Sequence, residues 1–306
     1  MVSHDYTLEV NLDTIPTWEA FVENAEPFSV ALDGKVKAPT QEDITIPVAN
    51  YNHHDGVDRY STKATCEQVF EAVKMGLRRA FPQIVALVND CDQDVITSNA
   101  ILRSPHLADS PLISRLVSVE GRLDSYGGGY NYDPRKMPFL EQVSWIFEPY
   151  AQFRQDGGLE RGDVGYYHRV IEDASSRIDK YAMGGAGRVS IDDRYEKIGK
   201  VGGFIEINRI GPMASLALAR DGIGSTAEII QQENGLLKVT LASVDRFQPG
   251  ADMVELAKIL NIQELEAGGS PDWGGGNVYC CSPRNIGSVL PRETVEATIN
   301  ALHTTS

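Results

Sequence analysis

The sequence predicts an α/β protein, and three observations carry that expectation. Ile84-Val85-Ala86-Leu87-Val88 is a short, β-branched apolar run with the length of a buried strand. An acidic loop, Asn89-Asp90-Cys91-Asp92-Gln93-Asp94, follows it at once, and Ile96 to Leu102 then reads as the start of a helix. Upstream, Ile44 to Tyr51 alternates apolar and polar residues, ends at Asn52-His53-His54-Asp55-Gly56, and leads into a helical pattern over about 65–80. Strand, loop and helix repeating in that order predict a mainly parallel sheet flanked by helices.

Taken in order, residues 6–12 and 27–32 read as strands, with Trp18 to Glu23 a short amphipathic helix between them. The helix over 65–80 sets Val69, Val73 and Leu77 on one face. Leu116 to Val119 reads as a further strand, leading into Glu120-Gly121-Arg122-Leu123-Asp124 and the run Gly127-Gly128-Gly129. Residues 137–183 are helical in pattern, with Phe139, Val143, Ile146 and Phe147 supplying an apolar face. Gly184-Gly185-Ala186-Gly187 to Asp193 is the linker candidate, so that 1–183 form one domain and 194–306 a smaller α/β domain. In the latter, 202–210, 214–219 and 236–242 read as strands, and 253–265 and 291–302 as helices.

Composition sets the outer bounds. A chain of 306 residues holds one large or two ordinary domains, each with a real core. The formal charge of −15 argues against nonspecific binding to long nucleic acid or to anionic membrane surfaces. A small anionic substrate stays within reach, because a metal or a local arginine reverses the sign inside a pocket. No apolar run approaches membrane-spanning length, and the polar start Met1-Val2-Ser3-His4-Asp5 predicts no signal peptide. The four cysteines, Cys66, Cys91, Cys280 and Cys281, suit neither a disulfide framework nor paired zinc ligands, so a reducing, cytoplasmic setting is expected. The adjacent pair reads as buried strand residues.

The chemistry concentrates at two strand ends. Asp90, Asp92 and Asp94 repel one another unless a cation or protons intervene, which makes the loop a metal-site candidate. The alternative is an acidic turn in which Asp94 or Thr97 caps the helix. His53-His54 also follows a predicted strand, so a parallel sheet could bring both clusters to one edge. Imidazole with carboxylate suits manganese, iron, zinc or cobalt rather than calcium.

These segments resemble the motifs of the DHH phosphoesterase superfamily. The acidic loop is similar to its first motif, a strand, alternating aspartates and then Gly-x-x-Ser-Ala, with Val95 here in place of the glycine. Tyr51-Asn52-His53-His54-Asp55-Gly56 resembles the namesake Asp-His-His, with Asn52 replacing its aspartate. Asp272-Trp273-Gly274-Gly275-Gly276-Asn277 resembles the glycine-rich motif of the associated C-terminal substrate domain, with Asn277 where a histidine is usual. The His-His segment precedes the aspartate loop, the reverse of the family order, so the chain resembles a permuted, divergent member.

The resemblance implies a DHH-like N-terminal domain and a DHHA1-like C-terminal one, with one or two divalent ions, manganese first among them. It implies metal ligands from Asp90, Asp92, Asp94, His54 and Asp124, with Glu120 competing for the place of Asp124, and His53 and His54 as the catalytic side chains. It further implies that Gly274, Gly275, Gly276 and Asn277 meet the substrate. Ser282 and Arg284 directly afterwards join that candidate set, since they add a guanidinium that could bind phosphate or carboxylate, and Arg59 near the histidines could neutralise substrate charge. The expected activity is hydrolysis of a small phosphorylated substrate, a nucleotide or short oligonucleotide. The alternative is a catalytically degenerate scaffold that binds an anionic ligand or a protein partner, which the departures at Asn52, Val95 and Asn277 would fit. A homodimer is compatible with either reading. A hairpin turn is the competing reading of the glycine-rich motif, and a turn residue that of Asp124.

Overall fold

The computed structural model describes residues 5–13, 15–244, 251–283 and 286–303. The chain is mixed α/β and divides into two compact units, Met1–Ser125 with Met137–Ile191, and Tyr126–Lys136 with Asp192–Ser306.

The first unit opens with β1 (Tyr6–Val10), α1 (Trp18–Asn24), β2 (Ser29–Leu32), β3 (Gln41–Asp43) and β4 (Val48–Tyr51). It continues with α2 (Thr65–Met75), α3 (Leu77–Ala80), β5 (Ile84–Val88), α4 (Gln93–Arg103), a 3₁₀ turn and α5 (Pro111–Ser125). After the segment that joins the second unit come α6 (Phe139–Ile146), α7 (Glu148–Gln155), α8 (Gly158–Arg161) and α9 (Val164–Ala182). The strand order is β1-β5-β2-β4-β3, parallel except for β3. Val30 pairs with both Ala49 and Ala86, and Leu32 with Tyr51. That register brings the residues following β2, β4 and β5 to one sheet edge, the carboxyl edge where open α/β sheets hold ligands. The inner strands β2 and β4 are buried on both faces, as is usual in parallel sheets: Val30, Ala31, Leu32, Val48 and Ala49 have no exposed surface, and neither do Ala86 and Val88 of β5.

Several local expectations are corrected here. Leu116–Val119 is not a strand but the middle of α5, where Ile113, Leu116, Val117, Glu120 and Leu123 bury one face at helical spacing. The helix after the acidic loop begins at Gln93 rather than near Ile96, with Asp92, not Asp94 or Thr97, as its cap. The expected helix over 65–80 is broken at Gly76, whose φ of 104° ends α2 and starts α3. Of Ile44–Tyr51, only Val48–Tyr51 is strand; Asp43 Oδ1 accepts the Thr45 and Ile46 amides and folds the preceding residues into a turn.

The second unit holds β6 (Tyr195–Val201), β7 (Phe204–Arg209), α10 (Ala214–Arg220), β8 (Ser225–Gln231), β9 (Leu237–Ser243), α11 (Met253–Glu266), β10 (Tyr279–Cys281) and α12 (Arg292–His303). Its sheet runs β10-β9-β8-β7-β6, antiparallel except between β7 and β8. The strand expected over 202–210 is β7, which forms a hairpin with β6. Ala214–Ala219, expected as a strand, is helix α10, in keeping with a run of alanine and leucine without β-branched residues. Phe204, Leu241, Leu256, Leu260, Cys280, Val295 and Ile299 form its dry core. Buried Glu264 accepts hydrogen bonds from Trp273 Nε1, Ser288 Oγ and the Val289 amide, which ties the segment between α11 and α12 to the core. Among the described residues no helix is long and apolar enough to cross a membrane.

Candidate metal centre

The site lies wholly within the first unit and is assembled by the ends of β2 and β4, the start of α4 and the end of α5. Asp33 follows β2 with φ of 50°, a left-handed conformation unusual for a residue other than glycine. Its amide donates to Tyr51 O at 2.9 Å, which ties that turn to the end of β4. Thr65 Oγ1 donates to Asp33 Oδ1 at 3.0 Å, and His54 Nε2 lies 2.9 Å from the same oxygen.

Asn52 sets the course of the double histidine. Its Oδ1 accepts the His54 amide at 2.9 Å, while its Nδ2 donates to Val36 O, Ala38 O and Asp55 Oδ2. The loop so fixed turns both rings to one side, with centroids 4.5 Å apart in an edge-on pair. His53 is fully buried; the His54 side chain keeps 35% of its surface exposed.

Three carboxylates surround His53 Nε2. Asp124 Oδ2 lies at 2.7 Å, Asp33 Oδ1 at 3.5 Å and Asp94 Oδ2 at 3.7 Å. Asp94, in the first turn of α4, is anchored from below: its two oxygens accept the Thr65 and Cys66 amides at the start of α2, at 2.7 and 2.6 Å. Arg59 closes the ring, with Nη2 at 3.1 Å from Asp124 Oδ2 and 3.3 Å from His53 Nε2. Two groups of three side chains therefore present ligand atoms within 4.8 Å of one another, Asp33–His53–His54 and His53–Asp94–Asp124, and they can hold a metal ion.

The electrostatics suit a cation. Burial pushes the Asp94 carboxyl up to about 7, and the charges of Asp124 and Asp33 add to this, against a smaller opposing effect of His53. Asp92 is held well above the usual range by burial and by the charges of Asp33, Asp90, Asp124 and Asp94. Burial would lower the His53 pKa, but the Asp124 carboxylate beside it, with Asp33, raises it overall. Asp33 and Asp124 are lowered despite burial, through the histidines and Arg59. Burial and mutual repulsion thus push Asp94 and Asp92 up, while the histidines and Arg59 hold Asp33 and Asp124 down. Imidazole nitrogen and carboxylate oxygen are the donors that first-row divalent ions take in place of protons.

The structure places the sequence candidates unevenly. His53, His54, Asp94 and Asp124 come together, joined by Arg59. Asp92 lies close enough to feel the other acids, but its Oδ1 accepts the Val95 amide at 2.9 Å. Asp90 is buried, with Oδ1 accepting the Cys91 amide at 2.7 Å. Neither belongs to the two groups of three. Asp124 reaches the site from a helix and not from the end of a strand. Glu120, one turn earlier, is buried beside Asp124 and Asp94, and burial raises its pKa well above the carboxylate range.

Gly274, Gly275, Gly276, Asn277 and Ser282 belong to the second unit, and Arg284 lies outside the described residues. Gly274 exchanges backbone hydrogen bonds with Cys281, and Gly275 and Gly276 have φ of 134° and 81°. A side chain on Gly275 would meet the Tyr279 backbone at 3.0 Å. The glycines thus have a local reason in closing this antiparallel turn. Ser282 Oγ accepts the Val239 amide at 3.0 Å.

Asp33 is not among the candidates that the sequence offers. Its local signal is slight: an acid and a glycine directly after the expected strand over 27–32, which read alone as a turn. In comparison with known proteins, no family model, no curated protein and no solved structure matches the chain.

Proposed function

We propose that the chain is a divalent-metal-dependent phosphohydrolase of a small phosphorylated substrate, a nucleotide or short oligonucleotide, built on a divergent DHH-like plan. One observation carries the reading: two three-residue ligand groups share the buried His53 at the carboxyl edge of a parallel sheet. Asp33, His53, His54, Asp94 and Asp124 would hold the ion or ions; a mixed imidazole and carboxylate set suits several first-row divalent ions, and manganese is the one that the DHH resemblance implies. A divalent ion bound there would supply a Lewis acid for a phosphoryl oxygen and would lower the pKa of water. Among the proposed ligands His54 is the most exposed, with 35% of its side-chain surface open, and so is the member of the set that an incoming substrate would meet. Asp94 and Asn52, each held by backbone hydrogen bonds, keep the two histidines and the acids at fixed separations.

The degenerate-scaffold reading rests on the departures at Asn52, Val95 and Asn277, of which the first two have a structural account. In the structure Asn52 uses its amide to hold backbone carbonyls, and Val95 is buried in the first turn of α4. Both residues thus have structural work, and a loss of catalysis is not needed to account for them.

The test is to strip the protein of metal, reload it with Mn²⁺ and measure phosphate or mononucleotide release from nucleotides and dinucleotides. Release should require the metal and fall about ten- to a hundredfold or more in His54→Gln, at least the scale of disturbing a ligand's supporting partner, because the variant removes a ligand itself. Activity unaffected by chelation, or by both His54→Gln and Asp94→Asn, would sink the assignment.

A further inference from the structure

Arg59 is a buried cation set directly against two members of a candidate ligand group. Its Nη2 donates to Asp124 Oδ2 at 3.1 Å and to Asp124 O at 3.3 Å, and lies 3.3 Å from His53 Nε2. Asp124 and His53 are two of the three members of the His53–Asp94–Asp124 group. The Arg59 side chain is only 7% exposed, so water screens its charge weakly.

A first-row divalent ion bound by that group would sit roughly 2.0–2.2 Å from each ligand atom. With Arg59 unmoved, the ion and a guanidinium nitrogen would be near neighbours in a poorly screened interior, where like charges repel strongly. The arginine also spends a hydrogen bond on the oxygen that the ion needs.

We propose that Arg59 is a built-in counter-cation which competes with a divalent ion for Asp124 and His53. Filling the His53–Asp94–Asp124 group requires Arg59 to release Asp124, and the released guanidinium is then available to an anionic ligand. Without metal, the same arginine keeps this cluster of acids from destabilising the fold. The proposal rests on the metal-centre reading above and adds to it an order of events.

The experiment is calorimetric titration of Mn²⁺ into the metal-stripped full chain, comparing wild type with Arg59→Met, Arg59→Gln and Arg59→Lys. The neutral variants should bind Mn²⁺ about ten- to a hundredfold more tightly, the scale of a lost charge-assisted hydrogen bond expressed as affinity. Arg59→Lys, which keeps the charge, should stay near wild type. Thermal unfolding gives a second readout: the neutral variants should melt lower than wild type without metal and gain more from Mn²⁺. If one neutral variant fails to fold, the other carries the comparison. Unchanged or weaker Mn²⁺ binding by a natively folded neutral variant, alongside clear binding by wild type, would overturn the role of Arg59 alone. No Mn²⁺ uptake by any of the four proteins would overturn the metal-centre reading, and this proposal with it.

Discussion

Asp94 Oδ1 accepts the backbone N–H of Cys66 at 2.6 Å, so a carboxylate carried by α4 caps the amino end of α2. Its other oxygen accepts the Thr65 amide at 2.7 Å. Ala64, the residue before α2, has no side chain able to accept these bonds, and Asp94 takes over the work a serine or aspartate would do there. One buried acid therefore joins two helices beneath the site and turns toward His53.

That dual role makes Asp94→Asn separable from a purely ligating loss. The amide would keep one acceptor but point its NH₂ at a backbone donor, leaving a buried group unsatisfied. Chemical unfolding in the presence of a chelator should show a loss of about 1–3 kcal/mol. A residue that only held metal would show no such loss without metal. An unchanged midpoint in chelator would contradict the capping role.

Asn52→Asp tests whether the departure from the Asp-His-His pattern is a lost ligand or a structural choice. Asn52 Nδ2 donates to Val36 O at 3.2 Å and to Ala38 O at 2.8 Å, and a carboxylate cannot donate to either. The substitution should cost about 1–3 kcal/mol in unfolding free energy, and it should not strengthen Mn²⁺ binding. Tighter metal binding with stability preserved would show that the position belongs to the ligand set.

The parts of this site that were legible in the sequence are those announced by local pattern. His53-His54 and the Asp90–Asp94 loop each follow a β-branched or alternating run, and parallel pairing brings such ends together. Asp33 was passed over because a single acid before glycine reads as an ordinary turn; only the pairing of β2 with both β4 and β5 shows what it adjoins. Asp124 was named from sequence but assigned to a strand end, because the short run 116–119 does not reveal that the apolar pattern continues through Ile113 and Leu123. The contact of Arg59 with Asp124 spans 65 positions, and no local pattern encodes it. Likewise the alternation over 44–51 could not show that Asp43 would fold its first half into a turn.

The protonation pattern predicts how stability varies with pH. Asp94 has its folded pKa raised from 3.8 to about 7, so the native state holds a proton there that the unfolded state has already lost. His53 is likewise raised in the folded state. In both cases the native state binds more protons, so stability falls as pH rises through this range. Asp33 and Asp124 are shifted the other way, and their contribution is lost only as acid protonates them, below the window in question. Metal-free protein should therefore melt lower at pH 8 than at pH 6. Bound Mn²⁺ should reverse or flatten that slope, because its ligands must be deprotonated and its binding strengthens as protons leave. Melting curves in chelator and in saturating Mn²⁺, taken across pH 5.5–8.5, measure both slopes. A metal-free protein that gains stability between pH 6 and 8 would mean that Asp94 and His53 do not hold these protons in the folded state.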